Sequence, residues 1–214
     1  LAGLEPAGVI LEILNEDGTM ARRPELEKFA EKHNLKIGTI ADLIEYRNLN
    51  ETTIQKVAQC NMPTEYGDFE LHTFKDSIDN QLHFALKKGE IKEDEPTLVR
   101  VHLHNTFSDL LGSTRGIHRS MTLADGMRKI SEDGGVLVLL GKEEHIESQV
   151  RRFAAEDRGE RPTGADWQGS SRTIGVGSQI LASMGVHKMR LLSKPIKYHA
   201  LSGYGLEVVE YVHD

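Results

Sequence analysis

The order of the β-favouring runs constrains the fold of this chain more than any other feature of its sequence. Three such runs come first, at residues 69–74, 81–88 and 97–103, and short polar segments separate them. A fourth, aliphatic run follows at residues 135–140, and amphipathic helical patterns flank it on both sides. Strands that come first and helices that alternate with strands later predict an α+β domain.

The other elements of this part follow from the same kind of pattern. The sequence predicts helices at 117–131, 143–152 and near 178–184, and strands at 188–192 and 206–212.

The first part of the chain has a smaller strand-and-helix pattern of its own. The run GVILEIL at residues 8–14 predicts a short strand. Pro24 stands where the first turn of a helix is expected. A second helix is expected to begin at Thr39, with Asp42 three residues later as its capping-box partner.

A polar segment at residues 48–62 is predicted to link two domains, one at 1–47 and one at 63–214. The chain begins with Leu1 in the middle of a pattern, so we expect it to be a fragment of a longer protein.

Composition excludes several classes of protein. A formal net charge of −7 argues against a general nucleic-acid binder, which needs a basic surface. The longest aliphatic run, Val136–Leu140, is too short to span a bilayer, and no signal peptide opens the chain. A single cysteine, Cys60, excludes an intrachain disulfide and an all-cysteine metal site, and we expect it to be a bystander thiol. These features favour a cytoplasmic protein.

Two stretches of the chain resemble known families. Residues 4–47, which include NEDGTMAR, resemble the C-terminal end of 3,4-dihydroxy-2-butanone-4-phosphate synthase. Residues from about 63 to the end resemble GTP cyclohydrolase II, through PTEYGDFEL, LVRVH, GVGSQIL and MRLLSKPIKYHALSGYGLEVVEYV. This resemblance implies a mixed β-sheet domain with flanking helices, preceded by a short αβ remnant of the synthase domain.

The resemblance also implies a role in riboflavin biosynthesis. The synthase is a magnesium-dependent lyase that takes formate out of ribulose 5-phosphate, and bacteria often fuse it in front of the cyclohydrolase. Both families are homodimers, which implies that this chain associates with itself. The magnesium ligands belong to synthase motifs expected upstream of Leu1, so Glu12, at an acidic active-site position of that family, is expected to be an orphaned carboxylate here.

The zinc-binding signature of the cyclohydrolase family, C-L-T-G-D-x-x-x-S-x-R-C-D-C, is altered in this chain. When it is aligned on Asp109 and Arg115, its three cysteines fall on Asn105, Gly116 and His118. A zinc site needs three or four S, N or O donors, of which glycine supplies none and asparagine a poor one. We therefore predict that zinc is absent and that this chain holds no metal.

The family's second catalytic segment, R-Q-E-G-R-G-I-G, is altered as well. Glu143 alone matches, while Gly141 and His145 replace arginines that would contact the triphosphate. Further along, Arg172 and Lys197 match basic residues near the family's nucleotide, and they could hold GTP weakly, or another anion, without activating water.

The loss of the metal decides the expected activity. Zinc lowers the pKa of its bound water from ~15.7 to about 7, which is worth roughly 12 kcal/mol in forming hydroxide. No retained group in these motifs offers comparable help, so we predict a catalytically inactive domain that dimerises, stabilises or regulates the synthase.

Other interpretations stay open at this stage. His102 and His104, with His118, could form a replacement metal site, although such histidines are more often solvated or hydrogen-bonded. The run Gly175–Gly177 lacks the spacing of a phosphate loop and favours a turn at a helix entry. The domain could also be a cyclohydrolase with an altered site, or a module that senses GTP or a flavin through Arg172 and Lys197 without turnover.

Overall fold

A computed structural model of the chain describes residues 3–51, 53–115, 121–141, 144–160, 171–195 and 201–212. For residues 48–50 and 171–172 it describes the backbone alone. The chain divides into two compact units, Leu1–Ile40 and Ala41–Asp214. No helix within the described ranges is long and apolar enough to cross a membrane.

The first unit contains helix α1 (Arg23–His33), with Pro24 in its first turn as predicted. The strand predicted at residues 8–14 is wrong, because this segment forms only one isolated antiparallel bridge, between Leu14 and Met20. A strand needs a neighbour for its backbone hydrogen bonds, and one bridge does not supply it. The side chains of Val9 and Ile10 are 89% and 98% exposed.

The described part of the second unit is built on one seven-stranded sheet. Its strands are β1 (Ile54–Thr64), β2 (Gly67–Asp76), β3 (Leu82–Lys88), β4 (Thr97–Leu103), β5 (Gly135–Leu140), β6 (Lys188–Leu192) and β7 (Glu207–Val212), in the order β1-β2-β3-β5-β4-β6-β7. Strands β1, β2, β3 and β5 pair antiparallel, and β5, β4, β6 and β7 pair parallel. The predicted α+β class with a mixed sheet is confirmed.

Strand β1 corrects the predicted linker at 48–62, because residues from Ile54 onward belong to the sheet. The polar composition that suggested a linker is compatible with a strand at the edge of a sheet. Along β1 only Ile54 is fully buried, so the strand needs little apolar character.

The helices in the described part of this unit are α2 (Ile40–Asn50), which begins at the last residue of the first unit, α3 (Leu123–Asp133), α4 (Ile146–Asp157) and α5 (Ser171–Ser183). A π-helix lies at Thr106–Leu110 and a 3₁₀ turn at Leu201–Tyr204. Helix α3 begins later than predicted because Thr122 caps it and completes a capping box with Asp125. Helix α5 begins earlier than predicted, so Gly175–Gly177 lies inside a helix and forms neither a phosphate loop nor an entry turn.

The sheet is covered on both faces. One cluster joins α3 to the sheet through Phe69, Leu86, Leu98, Met127, Ile130, Leu137 and Leu192. The other joins α5 to the opposite face and includes Phe74, Ala85, Val99, Val136, Val138, Val176 and Ile180. Because neighbouring residues of a strand point to opposite faces, the aliphatic run of β5 contributes to both clusters.

Candidate functional site

The polar side chains of the cyclohydrolase-like motifs meet at the carboxyl ends of two parallel strands. Strand β4 ends at Leu103, which pairs with Leu140 at the end of β5. The amide of His104 continues this pairing by donating to the carbonyl of Leu140 at 3.2 Å. In sheets with parallel strands, ligand sites are usually built at this edge.

His102 and Asp109 form a buried pair at this edge. Nε2 of His102 lies 2.9 Å from Oδ2 of Asp109, and the two side chains are only 10% and 3% exposed. The same carboxylate accepts from the amide of Asn105 at 2.9 Å and from the hydroxyl of Ser108 at 3.0 Å. Burial lowers the pKa of His102, and the hydrogen bond to Asp109 opposes this shift in part. The pair fastens the π-helix to strand β4.

Asn105, at the first cysteine position of the zinc signature, caps the π-helix. Its Oδ1 accepts from the amides of Phe107 and Ser108, both at 3.1 Å. Its Nδ2 donates to Oε1 of Gln149 on α4 at 3.5 Å. Both ends of this side chain are therefore engaged within the protein.

Asn105 and His102, as they are arranged here, do not fit the zinc ion of the family. The one oxygen that Asn105 could offer already accepts two backbone hydrogen bonds, and Nε2 of His102 is held by Asp109. Within the described ranges no group of three or more His, Cys, Asp or Glu side chains is placed to hold a metal ion. Gly116 and His118 lie outside those ranges, as does the alternative metal site that would include His118.

Glu144 is a site residue that the sequence analysis did not find. Its side chain is 9% exposed, and its Oε1 accepts from the amide of Thr106 at 2.9 Å. Its Oε2 accepts from the hydroxyl of Thr106 and lies 3.4 Å from Nδ1 of His104. The signal was present in the sequence, because the R-Q-E-G-R-G-I-G segment has a glycine at this position.

Helix α4 packs on the π-helix segment. The rings of Phe107 and Phe153 meet edge to face, with centroids 5.2 Å apart. Arg115, the arginine of the zinc signature, lies over the ring of Phe153 at 5.4 Å and pairs with Asp157. Its guanidinium is thus directed to α4.

Gly141 ends up in a confined position. Its amide donates to Nδ1 of His83 at 3.1 Å. A Cβ atom at this residue would lie 2.2 Å from the carbonyl oxygen of Leu82, far closer than side chains approach. The backbone here leaves no room for the arginine that the family has at this position.

The remaining predicted site residues are described only in part. Glu143 and Lys197 lie outside the described residues, as does the side chain of Arg172. Glu12 is exposed in the first unit, just before the Leu14–Met20 bridge. Cys60 is exposed on strand β1.

A cavity of about 460 Å³ lies away from this edge, on strands β1, β2 and β3, and Glu70 and Lys87 are among its lining residues. Both lysines of its lining have partners within the protein. Lys87 lies 3.2 Å from Glu70, and Lys88 donates to the carbonyl of Asp68 at 2.9 Å.

Comparison with known families assigns both parts of the chain. The sequence profile of GTP cyclohydrolase II matches residues 55–213. The profile of 3,4-dihydroxy-2-butanone 4-phosphate synthase matches residues 1–46.

Individual relatives resemble the chain over nearly its whole length. A 3,4-dihydroxy-2-butanone 4-phosphate synthase of Photobacterium phosphoreum is 53% identical, over 99% of this chain and 58% of that protein. The riboflavin biosynthesis protein RibBA of Aquifex aeolicus is 45% identical, over 99% of this chain and 54% of that protein. The chain thus spans little more than half the length of these relatives.

A solved structure resembles the chain as well. It is the crystal structure of RibBX, a two domain 3,4-dihydroxy-2-butanone 4-phosphate synthase from A. baumannii, with a TM-score of 0.56 and 45% identity. The match covers 98% of this chain and 55% of that one.

Proposed function

Because this chain belongs to the GTP cyclohydrolase II family, with a segment of the 3,4-dihydroxy-2-butanone 4-phosphate synthase family in front, we propose that its cyclohydrolase-type domain is a non-catalytic partner of that synthase. Both families serve riboflavin biosynthesis. In this proposal the reaction takes place in a synthase domain, with magnesium, in the cytoplasm. The cyclohydrolase-type domain stabilises, dimerises or regulates that enzyme.

The observation on which the proposal rests is the role of Asn105. At a position where the family has a zinc ligand, this side chain caps a π-helix with its oxygen and contacts Gln149 with its nitrogen. An amide oxygen that already accepts two backbone hydrogen bonds is a poor ligand for a metal that prefers thiolate and imidazole. The residue has a structural role that does not need zinc.

The charge of Glu144 supports the same conclusion. Its carboxylate is largely buried beside the π-helix, where it accepts from the amide and the hydroxyl of Thr106. A triphosphate that approached this edge would meet this negative charge and that of Asp109 in a setting of low dielectric, where repulsion is strong. The arginines that would offset it are missing at positions 141 and 145.

Two assays test the proposal on the chain itself. Elemental analysis is expected to find no stoichiometric zinc, and incubation with GTP, zinc and magnesium is expected to release no formate. About one zinc per chain, together with formate release, would instead support a cyclohydrolase with an altered site.

A binding titration separates non-catalytic support from sensing. Calorimetry with GTP and with a flavin is expected to show no binding tighter than millimolar. Micromolar binding without turnover, lost in the Arg172→Ala and Lys197→Ala variants, would favour a sensing module.

Self-association is part of the proposal. An association surface needs shape complementarity and a buried apolar centre, and it needs no metal or perturbed pKa. Both families that the chain resembles are homodimeric, so light scattering is expected to show a dimer at micromolar concentration. A monomer under those conditions would contradict dimerisation and would leave stabilisation or regulation as the role.

A further inference from the structure

The family boundary and the structural boundary of this chain fall at different residues. The synthase profile extends to residue 46, whereas the second compact unit begins at Ala41. Helix α2 (Ile40–Asn50) crosses both boundaries. Its residues 41–46 therefore belong to the synthase family by sequence and to the cyclohydrolase-type unit by structure.

Helix α2 is held in the second unit by a close contact with Gly203. A Cβ atom at Gly203 would lie 2.7 Å from the carbonyl oxygen of Ala41 and 3.1 Å from Cγ2 of Ile44. Gly203 is buried in the 3₁₀ turn, so α2 rests directly on the backbone of that turn. Only a residue without a side chain permits this approach.

The same turn is anchored in the core on its other side. A Cβ atom at Gly175 of helix α5 would lie 2.8 Å from the hydroxyl of Tyr204. Leu201 and Tyr204 also pack against the apolar cluster that α5 forms with the sheet. The pKa of Tyr204 is raised by burial, and the nearby charge of Arg47 on α2 opposes that shift. The turn thus contacts α2 on one side and α5 on the other.

We propose that the 3₁₀ turn Leu201–Tyr204 is the docking site through which the cyclohydrolase-type domain holds the last helix of the synthase-family segment. Gly203 is the residue that determines the fit. This proposal deepens the supporting role proposed above and rests on it, since it names the surface by which the support acts. A retained contact of this kind explains why a domain without its catalytic residues would remain useful to the enzyme joined to it.

Amide hydrogen exchange on the whole chain, read by mass spectrometry, tests the docking site. The Gly203→Ala variant adds one methyl group against the backbone of Ala41, so α2 must move. We expect the amides of residues 44–47 to exchange at least about tenfold faster, while those around Ile180 keep their protection. The matched control is Gly38→Ala, two residues before α2, where a Cβ atom has nothing within 4 Å.

A second variant guards against a general loss of folding. Ile44→Ala removes the methyl groups that contact Gly203 without adding bulk. This variant is also expected to speed up amide exchange in α2, while the exchange rates of the sheet amides stay unchanged.

Unchanged exchange of α2 in both variants would overturn the docking site. The docking site would also be overturned if the α2 amides of the wild-type chain exchanged as fast as those of an isolated peptide. These results are independent of the GTP assay. A chain that hydrolyses GTP yet shows the expected exchange pattern would refute the proposed function and leave the docking site in place.

Discussion

The faces of the sheet and its carboxyl edge differ in how far they keep the character of the cyclohydrolase family. On the faces, apolar side chains from the strands pack against α3 and α5 in two buried clusters. At the edge, Asn105, Gly141 and Glu144 stand where the family has a zinc ligand, an arginine and a glycine. The comparison teaches that the apolar packing and the motif residues of one fold can differ separately from a family, because packing requires size and shape, while metal-dependent hydrolysis requires particular donors at particular positions.

The largest effect is expected at the faces. Ile180 is fully buried between α5 and the sheet, so Ile180→Ala should lower the free energy of unfolding by about 2–5 kcal/mol. Urea denaturation followed by circular dichroism measures it. Val150→Ala is the matched control, because Val150 is 49% exposed and its truncation should change stability by less than about 0.5 kcal/mol. Similar losses at both positions would contradict the distinction between faces and surface.

A smaller but clear loss is expected at the edge, if its polar groups now have a structural role. Asp109→Ala leaves the amide of Asn105 and the imidazole of His102 without their acceptor. Loss of a buried acceptor should cost about 1–3 kcal/mol in the same urea experiment. Asp133→Ala, which removes a carboxylate that is 40% exposed, should change stability by under about 0.5 kcal/mol. An Asp109→Ala variant as stable as the wild type would remove the structural role of this pair.

The success of prediction from the sequence differs between the same two regions, the faces of the sheet and its carboxyl edge. The strands of the faces are predicted correctly because runs such as Val136–Leu140 are continuous and apolar. Strand β1 was missed because an edge strand with exposed side chains has no such pattern. The predicted start of helix α5 is too late, because Gly175 and Gly177 suggest a turn. In the structure Gly175 instead permits close contact with Tyr204.

The candidate site was predicted only in part. The positions of Asn105 and Asp109 could be predicted because the residue spacing of one motif, the zinc-binding signature, fixes them. The capping role of Asn105 and the contact of Glu144 with Thr106 depend on how two loops from different strands meet. Local sequence patterns contain no information on such a long-range approach, and the same holds for the contact between α2 and Gly203.

The smallest effect expected from the edge is a dependence of stability on pH. Because burial lowers the pKa of His102 in the folded chain, the unfolded chain takes up a proton first as the pH falls below about 6.5. Stability should therefore fall from about pH 7 towards the lowered folded value, by no more than ~1.4 kcal/mol per pH unit for this one group.

The His102→Gln variant should reduce this slope between pH 7 and about 5.5, as measured by urea denaturation at a series of pH values. Asp109, Arg100 and His104 are the charged groups whose fields act on His102, and all three remain in the variant. An unaltered slope in His102→Gln would mean that this histidine is not held neutral by its surroundings.

The most direct test of an inactive edge is to give back the metal ligands and ask whether the chemistry returns. A chain with Asn105→Cys, Gly116→Cys and His118→Cys combined should bind about one zinc, since three thiolates match the family signature. It should still release no formate from GTP, because the arginine positions are occupied by Gly141 and His145 and the carboxylate of Glu144 remains at the edge. Formate release by this zinc-loaded variant at a rate well above that of the zinc-loaded wild-type chain would contradict the account, because it would show that the metal was the only missing part.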